Sequence, residues 1–270
     1  MKTIRTYASF FRVRFLMGLQ YRAAALAGVA TQFAWGFLEL AAYRAFYMEQ
    51  PDKFPMGFSE LGSYIWLQQA FLALFMLWML ENEIFEKIMD GGVAYELCRP
   101  ISLYAMWFSR SVANRLSRAV LRCLPILTVA FFLPEPYGIR LPERPLTLLL
   151  FAVSMILALL AVTAFSMIIY LLTFFTMSPL GIRMLLVSAV ELLSGNVVPF
   201  PFLPEPVRTV FELLPFGSMQ NVPLRAYSGN LAGEELVRAM LLQVFWVLTL
   251  IGGGWLLSRR AIRRTVLNGG

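Results

Sequence analysis

Histidine is absent from this sequence. The commonest general base and the commonest transition-metal ligand are therefore missing. No paired-aspartate motif or metal constellation takes their place. Cysteine is nearly absent, with Cys98 and Cys123 the two present. They lack metal-site spacing and fall on the side expected to face a reducing compartment, so both are expected as free thiols. Charge is also scarce. Asp, Glu, Lys and Arg make up 14% of the residues, where a soluble domain carries roughly a quarter. The apolar runs lack strand-like alternation and are too long for barrel strands, which excludes an outer-membrane barrel. No Gly-x4-Gly-Lys-Ser/Thr loop is present to cradle nucleotide phosphates. A cleavable signal peptide is not expected either. The segment before the first apolar run is too long for an n-region, and the run itself is too long for an h-region.

What the sequence does have is apolar length. Of its residues 59% are hydrophobic, and they gather in six runs, at about 23–47, 61–80, 119–133, 146–175, 184–198 and 236–258. A hydrocarbon core of ~30 Å needs about 20 apolar residues per helix, or fewer where flanking Arg and Lys snorkel. The class expected is an all-α polytopic membrane protein with six transmembrane helices, formed by residues 1–270 as one domain. The net charge of +7 is unevenly placed. Lys2, Arg5, Arg12, Arg14 and Arg22 precede the first run. Lys87, Arg99, Arg110, Arg115, Arg118 and Arg122 lie between the second and third. Arg183 follows the fourth, and Arg259, Arg260, Arg263 and Arg264 follow the sixth. The other side carries fewer. The positive-inside rule then puts both termini in the cytoplasm, in agreement with an even number of spans. The basic excess reads as a topology signal, and no nucleic-acid partner is expected.

Residues 1–22 have the spacing of an amphipathic helix on the inner membrane face, the alternative being a helical extension of the first span. Lys2, Arg5, Ser9 and Arg12 recur on one side, and Ile4, Ala8, Phe11 and Phe15 on the other. The longest cytoplasmic segment, 81–118, opens on the acids Glu81, Glu83 and Glu86. It turns at Asp90-Gly91-Gly92 and breaks again at Arg99-Pro100, which predicts a short helix, a turn and a second short helix. A helix resumes after Ser102 as a stalk leading into the third span, with Pro125 a candidate kink. The fifth run meets Ser194-Gly195-Asn196 and then Pro199, Pro201, Pro204 and Pro206. Backbone groups freed at that depth need protein or water partners. Residues 195–230 are therefore expected as an external re-entrant segment with surface helices, including one over 205–214.

Two acids fall inside the runs, Glu39 and Glu191. A carboxylate in hydrocarbon is costly and faces a cavity or a partner. Each reads either as a cationic-substrate or proton site or as a structural acid, with Glu39 bonding Tyr43 one turn on or the acids satisfied by water near the interface. The stripe Arg115, Arg118 and Arg122 suits anionic lipid headgroups, a pairing with Glu81–Glu86, or plain interfacial anchoring.

Three blocks then carry a resemblance. They are Asp90-Gly91-Gly92 with Leu97-Cys98-Arg99-Pro100-Ile101-Ser102, then Ser194-Gly195 with Pro199 and Phe202-Leu203-Pro204, and Leu214-Pro215-Phe216 with Pro223 and Tyr227-Ser228-Gly229. In this order and spacing the chain resembles the permease subunits of ABC-2 type (type V) ATP-binding-cassette exporters, in particular the six-span permeases grouped with putative multidrug and viologen exporters. The resemblance implies a bacterial inner-membrane permease that pairs with a second permease chain, the same or homologous, and with two separate ATPase subunits. ATP and Mg would bind those subunits, and this chain would carry no cofactor. It also implies a coupling helix docked in a groove of the ATPase, here over 84–97. Ile84, Phe85, Ile88 and Met89 are the expected anchors, with Glu83, Glu86, Lys87 and Asp90 at the rim and Gly91 and Gly92 in the turn. Glu39, Glu191, Ser194, Gly195, Asn196 and Pro199 are the expected residues of the route and its external gate. The alternatives are an integral-membrane enzyme acting on lipids, for which no catalytic cluster is visible, and an ATP-independent secondary transporter coupled through Glu39 and Glu191.

Overall fold

The computed structural model describes residues 2–142, 144–176 and 178–268, and no strand occurs among them. Eleven α-helices are present among the described residues. They are α1 (Lys2–Gly18), α2 (Arg22–Glu49), α3 (Phe58–Phe75), α4 (Asn82–Met89), α5 (Val93–Leu97), α6 (Leu103–Phe132), α7 (Pro145–Thr176), α8 (Pro179–Leu193), α9 (Glu205–Leu213), α10 (Asn221–Ser228) and α11 (Gly233–Asn268). Three of them are long and apolar enough to cross a membrane: Arg22–Glu49, Pro145–Thr176 and the Gly233–Arg264 part of α11.

The helix α7 is the centre of the packing, with α11, α10, α6, α8, α4 and α3 against it. Its small buried residues Ala158, Ala161 and Ala164 let neighbours approach closely. Polar groups join α7 to α11 where hydrocarbon would leave them unsatisfied. Ser154 donates to Gln243 Oε1 at 2.8 Å, and Gln243 Nε2 donates to the Ser218 carbonyl at 2.8 Å. By contrast α2 buries a single stripe, Ala25, Val29, Gln32, Gly36 and Leu40. Gly36 belongs there because a Cβ would lie 2.9 Å from the Trp66 ring.

Several elements differ from expectation. The second apolar run was expected to stay helical to residue 80, but α3 stops at Phe75 and Met76 is extended, with ψ 130°. The reason is Arg115, which is 5% exposed. Its Nη1 donates to the carbonyls of Leu74 at 3.1 Å and Met76 at 2.7 Å, and its Nη2 to Ser166 Oγ at 2.9 Å. The guanidinium satisfies carbonyls that a continued helix would have bonded internally. Arg115 thus does not belong to an interfacial stripe with Arg118 and Arg122. The fifth helix runs over 179–193, five residues earlier than the apolar run suggests, and only Val190 on it is buried.

The segment α1 does not lie free on a surface. Tyr7 and Phe10 pack against the core cluster beside α6. The Ser102 N–H donates to Tyr7 Oη at 3.0 Å, and a side chain at Gly18 would strike Ser117. Arg5, Ser9 and Arg12 are exposed as expected; the side chains of Lys2 and Ile4 lie outside the described residues.

Candidate functional site

Segment 81–118 forms the helix–turn–helix that its punctuation predicts. In the turn, Asp90 Oδ1 accepts from the Gly92 N–H at 2.8 Å, and Gly91 takes φ +78°, a left-handed geometry open to glycine. The Ala94 N–H then donates to the Gly91 carbonyl at 3.0 Å, which starts α5.

The hairpin α4–α5 is fastened from beneath by charge. Lys87 Nζ bonds Glu83 at 2.8 Å and Glu96 at 2.7 Å. Glu96 is buried and also accepts from Trp107 Nε1 at 2.6 Å. Arg110 Nε bonds Glu81 at 2.5 Å, and its Nη2 bonds Glu83. The Glu81 N–H donates to Tyr170 Oη at 2.7 Å. The hydrogen bond from Arg110 holds the Glu83 carboxyl down at about 2, with Lys87 adding to the effect against partial burial. For Lys87, burial pushes downward, but its bonds to Glu83 and Glu96 win and raise its pKa. The hairpin therefore hangs on α6 through Trp107 and Arg110 and on α7 through Tyr170. Short charge-assisted bonds of this kind are the stiff ones.

This corrects the expected division of labour within α4. Ile84 and Phe85 are 0% and 4% exposed. Phe85 packs on Tyr170 with ring centroids 4.9 Å apart. Both belong to the chain's own core and are not open to a partner. Ile88 is half-buried against the same cluster. Glu83 and Lys87 spend their charge inside the chain. The surface left outward is Glu86, Met89, Asp90, Ala94 and Tyr95, with Met89 55% and Tyr95 84% exposed. The run of acids at 81–86 was legible in the sequence. Their partner Arg110 and the Glu96–Trp107 bond carry no short-range signal.

At the opposite end, α8 closes on buried Ser194, whose N–H donates to the Val190 carbonyl at 2.9 Å. Gly195 takes φ +82°, and a Cβ there would sit 3.0 Å from the Phe200 ring. The turn is received by α3, as the expectation of freed backbone groups requires. Gln68 Nε2 donates to the Asn196 carbonyl at 3.0 Å and to its Oδ1 at 3.1 Å, and Tyr64 Oη reaches the Gly195 carbonyl at 3.5 Å. Buried Pro199 leads into a single 3-10 turn, Phe200–Phe202. Next comes α9, amphipathic and without a buried residue, and then α10, buried along seven of its eight residues. Segment 195–230 thus holds one surface helix, α9, and one buried helix, α10. Glu39 accepts from Gln69 Nε2 at 3.3 Å, across to α3, where the structural reading had Tyr43. Glu191 is half-buried in the last turns of α8. Both cysteines are free.

A search among curated proteins returned no match. A family model described as "ABC-2 family transporter protein" matches residues 56–264. That span takes in the α4–α5 hairpin, the α8 turn and the helices that hold both, and on it the chain belongs to the ABC-2 transporter family.

Proposed function

We propose that this chain is the membrane subunit of an ATP-driven exporter. In this reading α2, α3, α6, α7, α8 and α11 all cross a bacterial inner membrane, with both termini cytoplasmic. A helix of 15 residues such as α8 is about 22 Å long. It spans only with local thinning or snorkelling at its ends. A second permease, identical or homologous, completes the route, and two ABC ATPase subunits carrying ATP and Mg drive it. The nearly unburied α8 and the one-sided burial of α2 leave apolar surface for lipid and for that second chain.

The observation that carries the proposal is the α4–α5 hairpin. It is held from behind by Arg110, Trp107 and Tyr170 and presents Met89 and Tyr95 outward. An apolar and aromatic tip on a stiffly held hairpin suits a protein groove. Motion of such a groove would pass to α6 and α7 with little lost in bending. The test is co-purification with the native ATPase. Met89→Asp with Tyr95→Ala should abolish it while membrane insertion continues. Undiminished co-purification would remove the hairpin as the docking element.

A further inference from the structure

Four arginines outside the ion pairs of Glu81, Glu83 and Glu96 collect in one place. A cavity of about 570 Å³ opens where α1 ends and α2 begins, bounded also by α6 and the start of α4. Arg14, Arg118, Arg122 and Arg183 line it, and no carboxylate does. Leu80 and Asn82 are at its wall, yet the intervening Glu81 is turned to Arg110. Among the described residues none of the four guanidiniums has an acid partner. Arg183 bonds Asn82 Oδ1 at 2.7 Å and the Trp78 carbonyl at 3.3 Å. Arg14 lies over the Phe10 ring, with its Cζ 5.5 Å from the centroid. Arg122 is packed on Gly28, where a Cβ would come 2.8 Å from the guanidinium carbon. Its Nε is buried with no hydrogen-bond partner. Four like charges around one space, none with an acid partner among the described residues, form an arrangement that an anion completes.

The place of the cavity says which anion. It sits at the foot of α2, the first helix able to cross a membrane, beside α1, whose Val13, Leu16 and Met17 are exposed. Tyr21 and Trp78, the residue types that settle at headgroup depth, form part of its rim. Apolar Met17, Ala25 and Leu121 complete its wall beside the arginines. Basic pockets between membrane helices on the positively charged side hold phosphate-bearing lipid headgroups. We infer that this cavity binds the phosphodiester headgroup of an anionic phospholipid, with acyl chains following α1 and α2, and that the lipid pins α1 to α6. The inference requires only that the chain spans a membrane and does not rest on the export reading.

The test is native mass spectrometry of the full-length chain in detergent, titrated with phosphatidylglycerol or phosphatidylcholine. Phosphatidylglycerol should bind about one per chain and at least tenfold more tightly. Arg14 and Arg118 make no hydrogen bond among the described residues, so their removal spares the fold. Arg14→Gln with Arg118→Gln should lower phosphatidylglycerol retention at least fivefold and leave phosphatidylcholine unchanged, whereas Arg14→Lys with Arg118→Lys should retain most of it. Equal retention of the two lipids by the unaltered chain would overturn the proposal without recourse to any variant. So would a glutamine variant that keeps its anionic lipid. Displacement of the lipid by equimolar inorganic phosphate would make the ligand a free phosphate and overturn the lipid assignment.

Discussion

Arg115 has five N–H donors and almost no solvent around it. It ends α3 by bonding the Leu74 and Met76 carbonyls, and it reaches Ser166 on α7. Replacing it by methionine keeps the volume but orphans two buried carbonyls. Each unsatisfied group costs roughly 1–3 kcal/mol. Arg115→Met should therefore lose about 3 kcal/mol in chemical unfolding in micelles, with Arg115→Lys recovering part of that loss. Glu83 makes a smaller contribution that depends on pH. The hydrogen bond from Arg110 holds its carboxyl at about 2, below the ordinary value of 4.5. Its stabilisation is thus fully present above pH 4.5 and fades as pH falls through about 2. Its side chain is 47% exposed, so solvent screening holds the contribution to about 1 kcal/mol or less. The gap in thermal transition between wild type and Glu83→Gln should be constant from pH 8 to 5 and close on acidification below that. A gap that widens in acid would show that Glu83 is not the ionised partner of Arg110.

The hairpin α4–α5 separates two kinds of residue one turn apart. Phe85→Asp puts a carboxylate against Tyr170 in the core, at a cost of several kcal/mol. It should loosen the hairpin itself, seen as faster amide exchange over 82–97. The paired change at Met89 and Tyr95 should leave that exchange unaltered and act on ATPase docking alone. If both give the same exchange pattern, the division between buried and presented faces is wrong. The α8 turn is the counterpart at the other end. A residue other than glycine at φ +82° costs about 1–2 kcal/mol, and here the added Cβ also presses on Phe200. Gly195→Ala should weaken the Tyr64 and Gln68 contacts to the turn and reduce transport, while ATPase docking persists. Unchanged transport would remove the turn from the proposed gate.

For the molecule as a whole, the proposed permease role puts the energy source on a separate chain. The purified chain, freed of partners, should neither bind nor hydrolyse ATP, and turnover that survives removal of every co-purifying ATPase would overturn the permease reading. The described chain also leaves Leu180, Met184, Leu185 and Leu192 of α8 exposed, together with Leu241, Phe245 and Leu248 of α11. Apolar surface on this scale belongs against lipid or another chain.

Composition alone determined that this is a helical membrane protein. Hydrocarbon forbids unpaired backbone groups, so long apolar runs have to be helices. The proline and glycine punctuation likewise located the 90–92 turn, the end of α8 near Ser194 and the α9 helix, because each is decided by local backbone geometry. The arginine count was legible as well, but not the work of each arginine. Arg110, Arg115 and Arg122 look alike in sequence. One clamps the hairpin, one ends α3 forty residues away, and one stands beside a cavity with no acid partner. The same holds for Ile84 and Phe85 against Met89 and Tyr95, all apolar neighbours on short helices. Which face of α4 turns inward is decided by Tyr170 on α7, some 85 residues on, since a five- or eight-residue helix has no stable orientation until tertiary packing supplies one.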